Sequence, residues 1–303
     1  MRITGTFLDE ITHDIPSANW GPAEWAADFD AMQAVGIDTV ILIRAGYRDR
    51  ATFNSSALAA EQPMRPAYVD LVDLFLTQAE RCGMTFFFGI YDSGRYWHSG
   101  QPEREIEINL RFTDEVTAKY ADRAAFGGWY MSHEISEYDE GAMRLYERLA
   151  RHVKGLKDLP VLMSPYMRGR KQFEDPITPE EHERQWDWVF ARLSGVVDIV
   201  AFQDGHVDFQ ELPAYLEINN RLARNHGLRP WSNVETFERG MPMDFLPINW
   251  PNLRYKLEAA EASGVEKLIT FEFSHFLSPN SMYASAHTLF VRYREWLAER
   301  SGT

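Results

Sequence analysis

Two glutamates stand where a catalytic pair of carboxyl groups could form. Glu134 closes an apolar and aromatic run that begins at Gly127, and Glu235 closes a similar run that begins at Pro230. Each run is typical of a strand, and each glutamate lies well short of the next helical pattern. A pair of carboxyl groups can catalyse a reaction in which one gives a proton and the other acts as a base or a nucleophile. The two glutamates suit that reaction, provided that the fold brings them together.

Further acidic residues also close predicted strands, and few basic residues stand among them. Placing many acids together costs free energy unless their charge is shared, protonated or compensated, so the pattern predicts a cleft for proton transfer or for a cation. A strand-end aspartate can equally cap the helix that follows it. The additional acids are Asp9, Glu10, Asp92, Asp204 and Glu272.

Short β-rich runs alternate with helical patterns along the whole chain, with no linker or low-complexity tract between them. The predicted strands cover residues 3–9, 39–44, 85–92, 127–136, 160–164, 198–203, 230–237 and 267–273. The predicted helices cover residues 22–35, 67–81, 106–120, 140–153, 180–193, 212–226, 252–263 and 281–299.

Eight such units over 303 residues match an α/β fold, a single (β/α)8 TIM barrel, better than a doubly wound sheet. We therefore predict one catalytic domain over residues 1–303. A doubly wound sheet that binds a nucleotide would carry a glycine-rich loop after its first strand. The turn found there is acidic instead, with Asp9, Glu10 and Asp14. In a TIM barrel the catalytic groups lie at the carboxyl ends of the strands, where both glutamates are predicted.

The last two predicted strands each have one polar face and one apolar face, which predicts a polar barrel mouth with helices packed outside. The alternation itself does not say which face points inward. The polar faces carry Trp231, Asn233 and Glu235 in the seventh strand and Thr270, Glu272 and Ser274 in the eighth.

The composition restricts the partners and the compartment. With 45 acidic against 31 basic residues the formal net charge is −14, which disfavours nucleic acid and leaves neutral or cationic ligands easier to accept. The single cysteine, Cys82, permits no internal disulfide. No basic leader, apolar signal core or stretch of about 20 apolar residues is present, so we expect a cytoplasmic protein without a membrane partner.

Four short motifs combine aromatic, amide and acidic residues: Gly-Trp-Tyr-x-x-x-Glu at 128–134, Gln203-Asp204-Gly205, Trp231-x-Asn233-x-Glu235-x-Phe237, and Phe271-Glu272-Phe273-x-His275. Through them the chain resembles an uncharacterised bacterial family, of the domain-of-unknown-function type, that is assigned to the glycoside hydrolases and has a TIM-barrel fold. More distantly, the glutamates that end strands four and seven resemble those of retaining glycosidases in the largest TIM-barrel clan. That clan usually has Asn just before the first glutamate, where this chain has His133.

The clan resemblance implies that Glu134 is the acid/base and Glu235 the nucleophile, acting on an oligosaccharide or glycoside without metal or cofactor. Glu272 is the residue most able to replace either, or to bind sugar hydroxyls. Aromatic residues make up 14% of the chain, and aromatic faces stack on sugars as well as filling cores. Further candidate sugar contacts are Tyr91, Trp97, Tyr130, Gln203, Asp204, Trp231, Asn233 and His275.

Two other functions remain open from the sequence. One is a non-catalytic barrel that binds carbohydrate. The other is a metal-dependent isomerase or hydrolase, for which Asp204-x-His206 and Glu272-x-x-His275 could supply ligands, although this spacing is unspecific. A Schiff-base aldolase is disfavoured because no lysine ends a predicted strand. An acidic sugar would suit four arginines in the predicted strand-end loops, although surface arginines are commonly just solvated: Arg44, Arg48, Arg95 and Arg168.

Overall fold

Eight parallel strands close into a barrel, and each strand pairs with its neighbours in chain order. The structure is a computed structural model that describes residues 1–13, 15–171, 174–239 and 245–302. The predicted TIM barrel is therefore confirmed. The strands are β1 Ile3–Leu8, β2 Thr39–Leu42, β3 Thr85–Gly89, β4 Phe126–Met131, β5 Val161–Met163, β6 Ile199–Gln203, β7 Arg229–Asn233 and β8 Lys267–Thr270.

A helix follows each barrel strand and packs on the outside. Among the described residues, no helix is long and apolar enough to cross a bilayer. The helices are α1 Pro22–Ala34, α2 Leu71–Cys82, α3 Pro102–Tyr120, α4 Glu140–Leu156, α5 Pro179–Leu193, α6 Leu212–Asn225, α7 Trp250–Ala262 and α8 Ala284–Ser301.

Local capping explains where several helices begin. Helix α2 starts at Leu71, later than the predicted residue 67, because the Asp70 side chain accepts a hydrogen bond from Asp73 N at 3.0 Å. Helix α3 starts at Pro102, earlier than predicted, because proline suits a first turn whose N–H needs no intrahelical partner. The ends therefore follow side-chain chemistry more closely than hydrophobic periodicity.

The carboxyl ends of the strands carry several short elements. Three-residue and four-residue helices lie at Trp97–Ser99 and Phe273–Phe276, after β3 and β8. Strand pairing in the barrel ends at Asn233 in β7 and Thr270 in β8, three to four residues before the predicted ends. The residues beyond these points belong to the mouth of the barrel, which is where the candidate acids lie.

The barrel interior is filled by side chains from alternating positions of its strands. On β7 Trp231 and Asn233 face inward. Trp231 belongs to the interior cluster, and Asn233 lines the space at the barrel mouth. On β8 Ile269 faces inward and Phe271 packs against the same cluster, so Thr270 and Glu272 point toward the surrounding helices. The polar faces of the last two strands therefore point in opposite directions. The interior cluster contains Phe7, Ile41, Ile43, Phe87, Tyr130, Leu162, Ile199, Ala201, Trp231 and Ile269.

Gly89, the last residue of β3, gives a test of the barrel closure. A Cβ atom there would lie 2.0 Å from Leu42 O and 2.6 Å from Ile43 O, and strand backbone cannot move away cheaply. We expect Gly89→Ala to lower the free energy of unfolding by about 3 kcal/mol, measured by chemical denaturation.

The matched control is Gly155→Ala in α4, where nothing lies within 4 Å of the added methyl group. It should be neutral or stabilise by up to about 1 kcal/mol, because alanine favours a helix over glycine. Equal effects of the two substitutions would contradict the close approach of β2 and β3.

Candidate active site at the barrel mouth

The carboxyl ends of the strands surround a cavity of about 220 Å³. Both predicted catalytic residues, Glu134 and Glu235, line it. Its other charged walls are Asp9, Arg44, Asp92 and Arg239, and its aromatic walls include Tyr47, Trp97, Tyr166, Phe237, Phe245 and Phe271.

Glu134 follows β4 and is held by side chains from two other strand ends. Its Oε2 lies 3.2 Å from Arg44 Nη2, and its Oε1 accepts a hydrogen bond of 3.0 Å from Gln203 Nε2. Gln203 itself is fixed because the same amide also donates to Ser164 O at 2.8 Å. The Glu134 side chain keeps 24% of its surface exposed, so it is oriented yet accessible from the cavity.

Arg44, just beyond β2, is shared between two carboxylates. Its Nε lies 3.4 Å from Asp92 Oδ2, in addition to its contact with Glu134. Burial alone would lower the pKa of Arg44, but the carboxylates of Glu134 and Asp92 raise it above its ordinary value. Burial would raise the pKa of Asp92, yet His133 and Arg44 hold it below its ordinary range. Asp92 also accepts a hydrogen bond of 3.0 Å from Trp97 Nε1, which fixes one wall of the cavity.

Glu235, two residues beyond β7, is a fully buried carboxylate with 1% of its side chain exposed. Arg239 donates to both of its oxygens at 2.9 Å, from Nε to Oε2 and from Nη2 to Oε1. Burial by itself would raise the pKa of Glu235, but the Arg239 guanidinium lowers it below its ordinary value. Glu235 is therefore kept as an anion inside the protein.

The backbone of Glu235 is fixed by a second buried ion pair. Its N–H donates to Asp204 Oδ1 at 3.0 Å, and its carbonyl accepts from Lys256 Nζ at 2.8 Å. Lys256 in turn lies 2.6 Å from Asp204 Oδ1. Burial raises the pKa of Asp204 to about 6, and Lys256 works against that rise while Glu235 adds to it.

Gly205, in the predicted Gln203-Asp204-Gly205 motif, leaves space for the Glu235 carboxylate. A Cβ atom on Gly205 would lie 1.6 Å from Glu235 Oε2 and 2.7 Å from Arg239 Nε. Only glycine leaves room for the pair at this position. Each residue of the motif therefore has its own contact. Gln203 donates to the Glu134 carboxylate, Asp204 accepts from the Glu235 backbone, and Gly205 leaves space for the Glu235 carboxylate.

The structure brings some of the predicted sugar contacts to the cavity and leaves others away from it. Trp97, Gln203 and Asn233 line it together with the two glutamates. Asn233 Oδ1 is buried with no hydrogen-bond partner in the described part of the chain. The predicted contacts that do not line this cavity are Tyr91, Tyr130, Asp204, Trp231, Glu272 and His275.

These six residues make other contacts in the protein, of which those of Asp204 with Glu235 and Lys256 are described above. Tyr130 and Trp231 lie deeper in the barrel interior, and the Tyr91 hydroxyl donates to Arg48 O at 3.0 Å. Glu272 and His275 form a buried ion pair behind β8, with 2.5 Å between Glu272 Oε1 and His275 Nδ1. Their assignment as sugar contacts stays a prediction that this geometry does not favour.

A potential metal-binding group lies behind the cavity wall. Asp92, Glu105 and His133 offer ligand atoms within 4.8 Å of one another. However, Glu105 accepts from Ser93 N at 2.9 Å and lies 3.0 Å from His133 Nε2, and the Arg44 cation adjoins Asp92. A metal ion would have to displace these donors and tolerate the nearby arginine, so the group fits a structural network better.

Several site residues were not predicted from the sequence. Arg239 could have been noticed as a cation four residues after Glu235, and Lys256 as a charge on the apolar stripe of α7 with Leu253 and Leu257. Phe271 could not, because the sequence left open which face of β8 points inward. Tyr166 lies in a long loop whose path no local pattern specifies.

The family described as "Domain of unknown function (DUF4434)" matches residues 3–283. The chain belongs to this family. A solved structure from Bacteroides thetaiotaomicron VPI-5482, described as a "putative alpha-L-fucosidase", is 48% identical, with a TM-score of 0.94 over 97% of this chain and 92% of that one. No protein of curated function matches the sequence.

Two more distant solved structures share the barrel. The endo-1,4-beta-D-mannanase of Thermotoga petrophila RKU-1 is 12% identical, with a TM-score of 0.57 over 89% of this chain and 88% of that one. A beta-galacturonidase of Eisenbergiella tayi is 12% identical, with a TM-score of 0.60 over 97% of this chain and 51% of that one. At this identity the likeness shows that this DUF4434 member has the fold seen in TIM-barrel glycoside hydrolases.

The buried Glu272–His275 pair predicts a dependence of stability on pH. Burial lowers the pKa of His275, but the Glu272 carboxylate and the Pro16 carbonyl, 2.8 Å from Nε2, help to raise it to about 9. Because the folded state binds this proton more tightly, the stabilisation is complete below pH 6.5 and is lost as the pH rises through 9. The loss attributable to His275 should reach about 3 kcal/mol, measured by denaturation at several pH values.

The His275→Gln variant should lack this part of the pH dependence. The partly exposed His152, which pairs with Asp114, provides the control substitution His152→Gln, which should keep it. An identical pH dependence in wild type and His275→Gln would show that the pair does not stabilise the fold through this proton.

Proposed function

We propose that the chain is a retaining glycoside hydrolase, with Glu134 as acid/base and Glu235 as nucleophile. The observation that carries this proposal is that the two glutamates, from the ends of β4 and β7, line one cavity. The anionic state of Glu235 and the partial exposure of Glu134 support the division of roles. The 48% identical protein of Bacteroides thetaiotaomicron is described as a "putative alpha-L-fucosidase", which is compatible with the same class of reaction.

The reaction proceeds in two displacements. Glu134 first takes up a proton, and the Arg44 cation then remains paired with Asp92. A Glu235 oxygen attacks the anomeric carbon while the bond from that carbon to the leaving oxygen breaks, and protonated Glu134 gives its proton to that oxygen. In the second step Glu134 takes a proton from water, the water oxygen bonds to the anomeric carbon, and Glu235 departs as a carboxylate. The net result is hydrolysis with retained anomeric configuration.

The cavity offers the contacts that a sugar needs. The orphan Asn233 Oδ1 accepts a hydroxyl hydrogen bond, and this satisfies a buried polar atom that otherwise costs free energy. Trp97, fixed by Asp92, and Phe271 supply apolar faces for the C–H surface of the ring. The positive charge that develops on the sugar in the transition state is stabilised by the anionic Glu235.

The charge of the cavity favours a neutral sugar over an acidic one. Four carboxylates line it against two arginines, and Arg44 and Arg239 are both engaged by carboxylates. Arg168, another arginine considered for an acidic sugar, pairs with Glu137 at 2.6 Å. Each of these three guanidinium groups already pairs with a protein carboxylate, so a carboxylate on a sugar would have to compete for it.

Substitution of the two glutamates tests the proposal. We expect Glu134→Gln and Glu235→Gln each to lower kcat at least about a thousandfold on a glycoside that the wild type cleaves, while cooperative thermal unfolding shows that the fold survives. Azide should restore turnover in Glu134→Ala and Glu235→Ala, giving glycosyl azides of retained and inverted configuration respectively, identified by NMR. The control is Glu258→Gln on the exposed surface of α7.

Three results would reject the proposal or parts of it. Wild-type activity in both Gln variants would remove the two glutamates from the chemistry. Calorimetric binding of oligosaccharides without new reducing ends would favour a non-catalytic sugar-binding barrel. Loss of activity in a chelator, restored by a divalent metal, would favour a metal-dependent enzyme.

Gly205 provides a test of the nucleophile's position. We expect Gly205→Ala to lower kcat at least about a hundredfold because the added methyl group displaces the Glu235 carboxylate. Gly195→Ala, at a turn with nothing within 4 Å but a φ of +73°, is a control for strain alone. Unchanged kcat in Gly205→Ala would mean that Glu235 does not act from the position seen here.

A further inference from the structure

A second cavity adjoins the one that holds the two glutamates. We call the 220 Å³ cavity the pocket, and the second, of about 510 Å³, the groove. Trp97, His98, Glu134 and Tyr166 line both, so they form the boundary between them. The groove extends from this boundary over the loop after β4 and the start of α4.

The two proposed catalytic residues are distributed unequally over these cavities. Glu134 lines both the pocket and the groove, whereas Glu235 lines only the pocket. The sugar that bonds to the nucleophile must therefore lie in the pocket. The acid must reach the oxygen between that sugar and the departing group, so the bond that breaks lies at the boundary.

We propose that the groove is the binding site for the leaving group, and that the enzyme removes one neutral sugar unit from the end of a larger neutral saccharide. This inference rests on the proposed function and specifies its substrate. The pocket is smaller than the roughly 300–1,000 Å³ of sites that bind drug-sized ligands, which suits a single sugar ring. The groove has more than twice the pocket's volume and accommodates a larger group.

The walls of the groove match a hydroxylated and uncharged leaving group. Glu137, Asp139 and Ser136 offer acceptors for hydroxyl groups, and Trp97 offers an apolar face. Arg144 also lines the groove, and its guanidinium already lies 3.5 Å from Glu103 and 3.7 Å from Glu140. An anionic leaving group such as a sugar phosphate would meet predominantly negative walls.

The first part of the test is product analysis. Wild-type protein is incubated with neutral oligosaccharides chosen after a screen of 4-nitrophenyl glycosides has identified the sugar that is cleaved. We expect monosaccharide as the initial product. Early release of fragments of two or more units from both sides of the cut would overturn the proposal. Faster cleavage of a substrate with an anionic leaving group than of its neutral counterpart would overturn the assigned chemistry.

The second part of the test blocks the groove. Ser136 lines the groove but not the pocket, and its side chain hydrogen-bonds to Tyr166. We expect Ser136→Trp to lower kcat/KM at least about tenfold on an oligosaccharide and by less than about twofold on the corresponding glycosyl fluoride. Fluoride leaves without a proton from Glu134 and is too small to need the groove. Glu258→Trp, an equally bulky substitution on the exposed surface of α7 and outside the linings of both cavities, is the control.

The outcomes separate this inference from the proposed function. Equal loss on both substrates in Ser136→Trp, or no loss on either, would overturn the groove as leaving-group site while the glycosidase activity stands. A wild-type protein that cleaves neither oligosaccharide nor glycosyl fluoride would instead reject the proposed function. A loss confined to the oligosaccharide, absent in Glu258→Trp, supports the proposal.

Discussion

The arrangement at the barrel mouth depends on neutralising carboxylates that the fold buries. Removing a carboxylate from water costs several kcal/mol unless cations and hydrogen-bond donors replace the lost hydration. Arg239 does this for the side chain of Glu235, and Lys256 does it for Asp204 while also binding the Glu235 carbonyl. These pairs allow an anion to stand beside the cavity with almost no exposure to solvent. In the role that we propose for Glu235, a nucleophile held in this way needs little reorganisation before it reacts.

On the opposite side of the cavity, a cation and an amide donor also compensate carboxylates, but one of these carboxylates stays partly exposed. Arg44 is shared by Asp92 and Glu134, and Gln203 donates to the remaining oxygen of Glu134. Glu134 is oriented but stays partly exposed, at the boundary between the pocket and the groove. Glu235 is thus enclosed, whereas Glu134 faces both the pocket and the groove. This asymmetry is the physical basis for the different roles that we propose for the two glutamates and for the leaving-group site that we propose in the groove.

The barrel and the two glutamates that line its cavity were predictable from the sequence, but the positions of the surrounding residues were less so. Glu272 and His275 follow a strand in the same way as Glu235, yet they face the helices because β8 points Ile269 and Phe271 inward. Two alternating faces look alike in a sequence when the strand is buried on both sides. Lys256 shows a second limit of prediction from sequence, which concerns contacts between elements that are distant along the chain. A lysine in a helix 21 residues from Glu235 becomes its neighbour only when α7 packs against the barrel.

The sequence by itself determined the class of fold and the location of the main acids. Alternating strand and helix patterns admit few closed architectures, and parallel strands bring their carboxyl ends to one side of the barrel. Only the tertiary structure decided which acids share a cavity, which cations neutralise them, and that the cavity adjoins a groove at Glu134. These features depend on the inward or outward direction of each strand end and on loops between distant elements. Neither is specified by local propensity or spacing, because both result from how the whole chain packs.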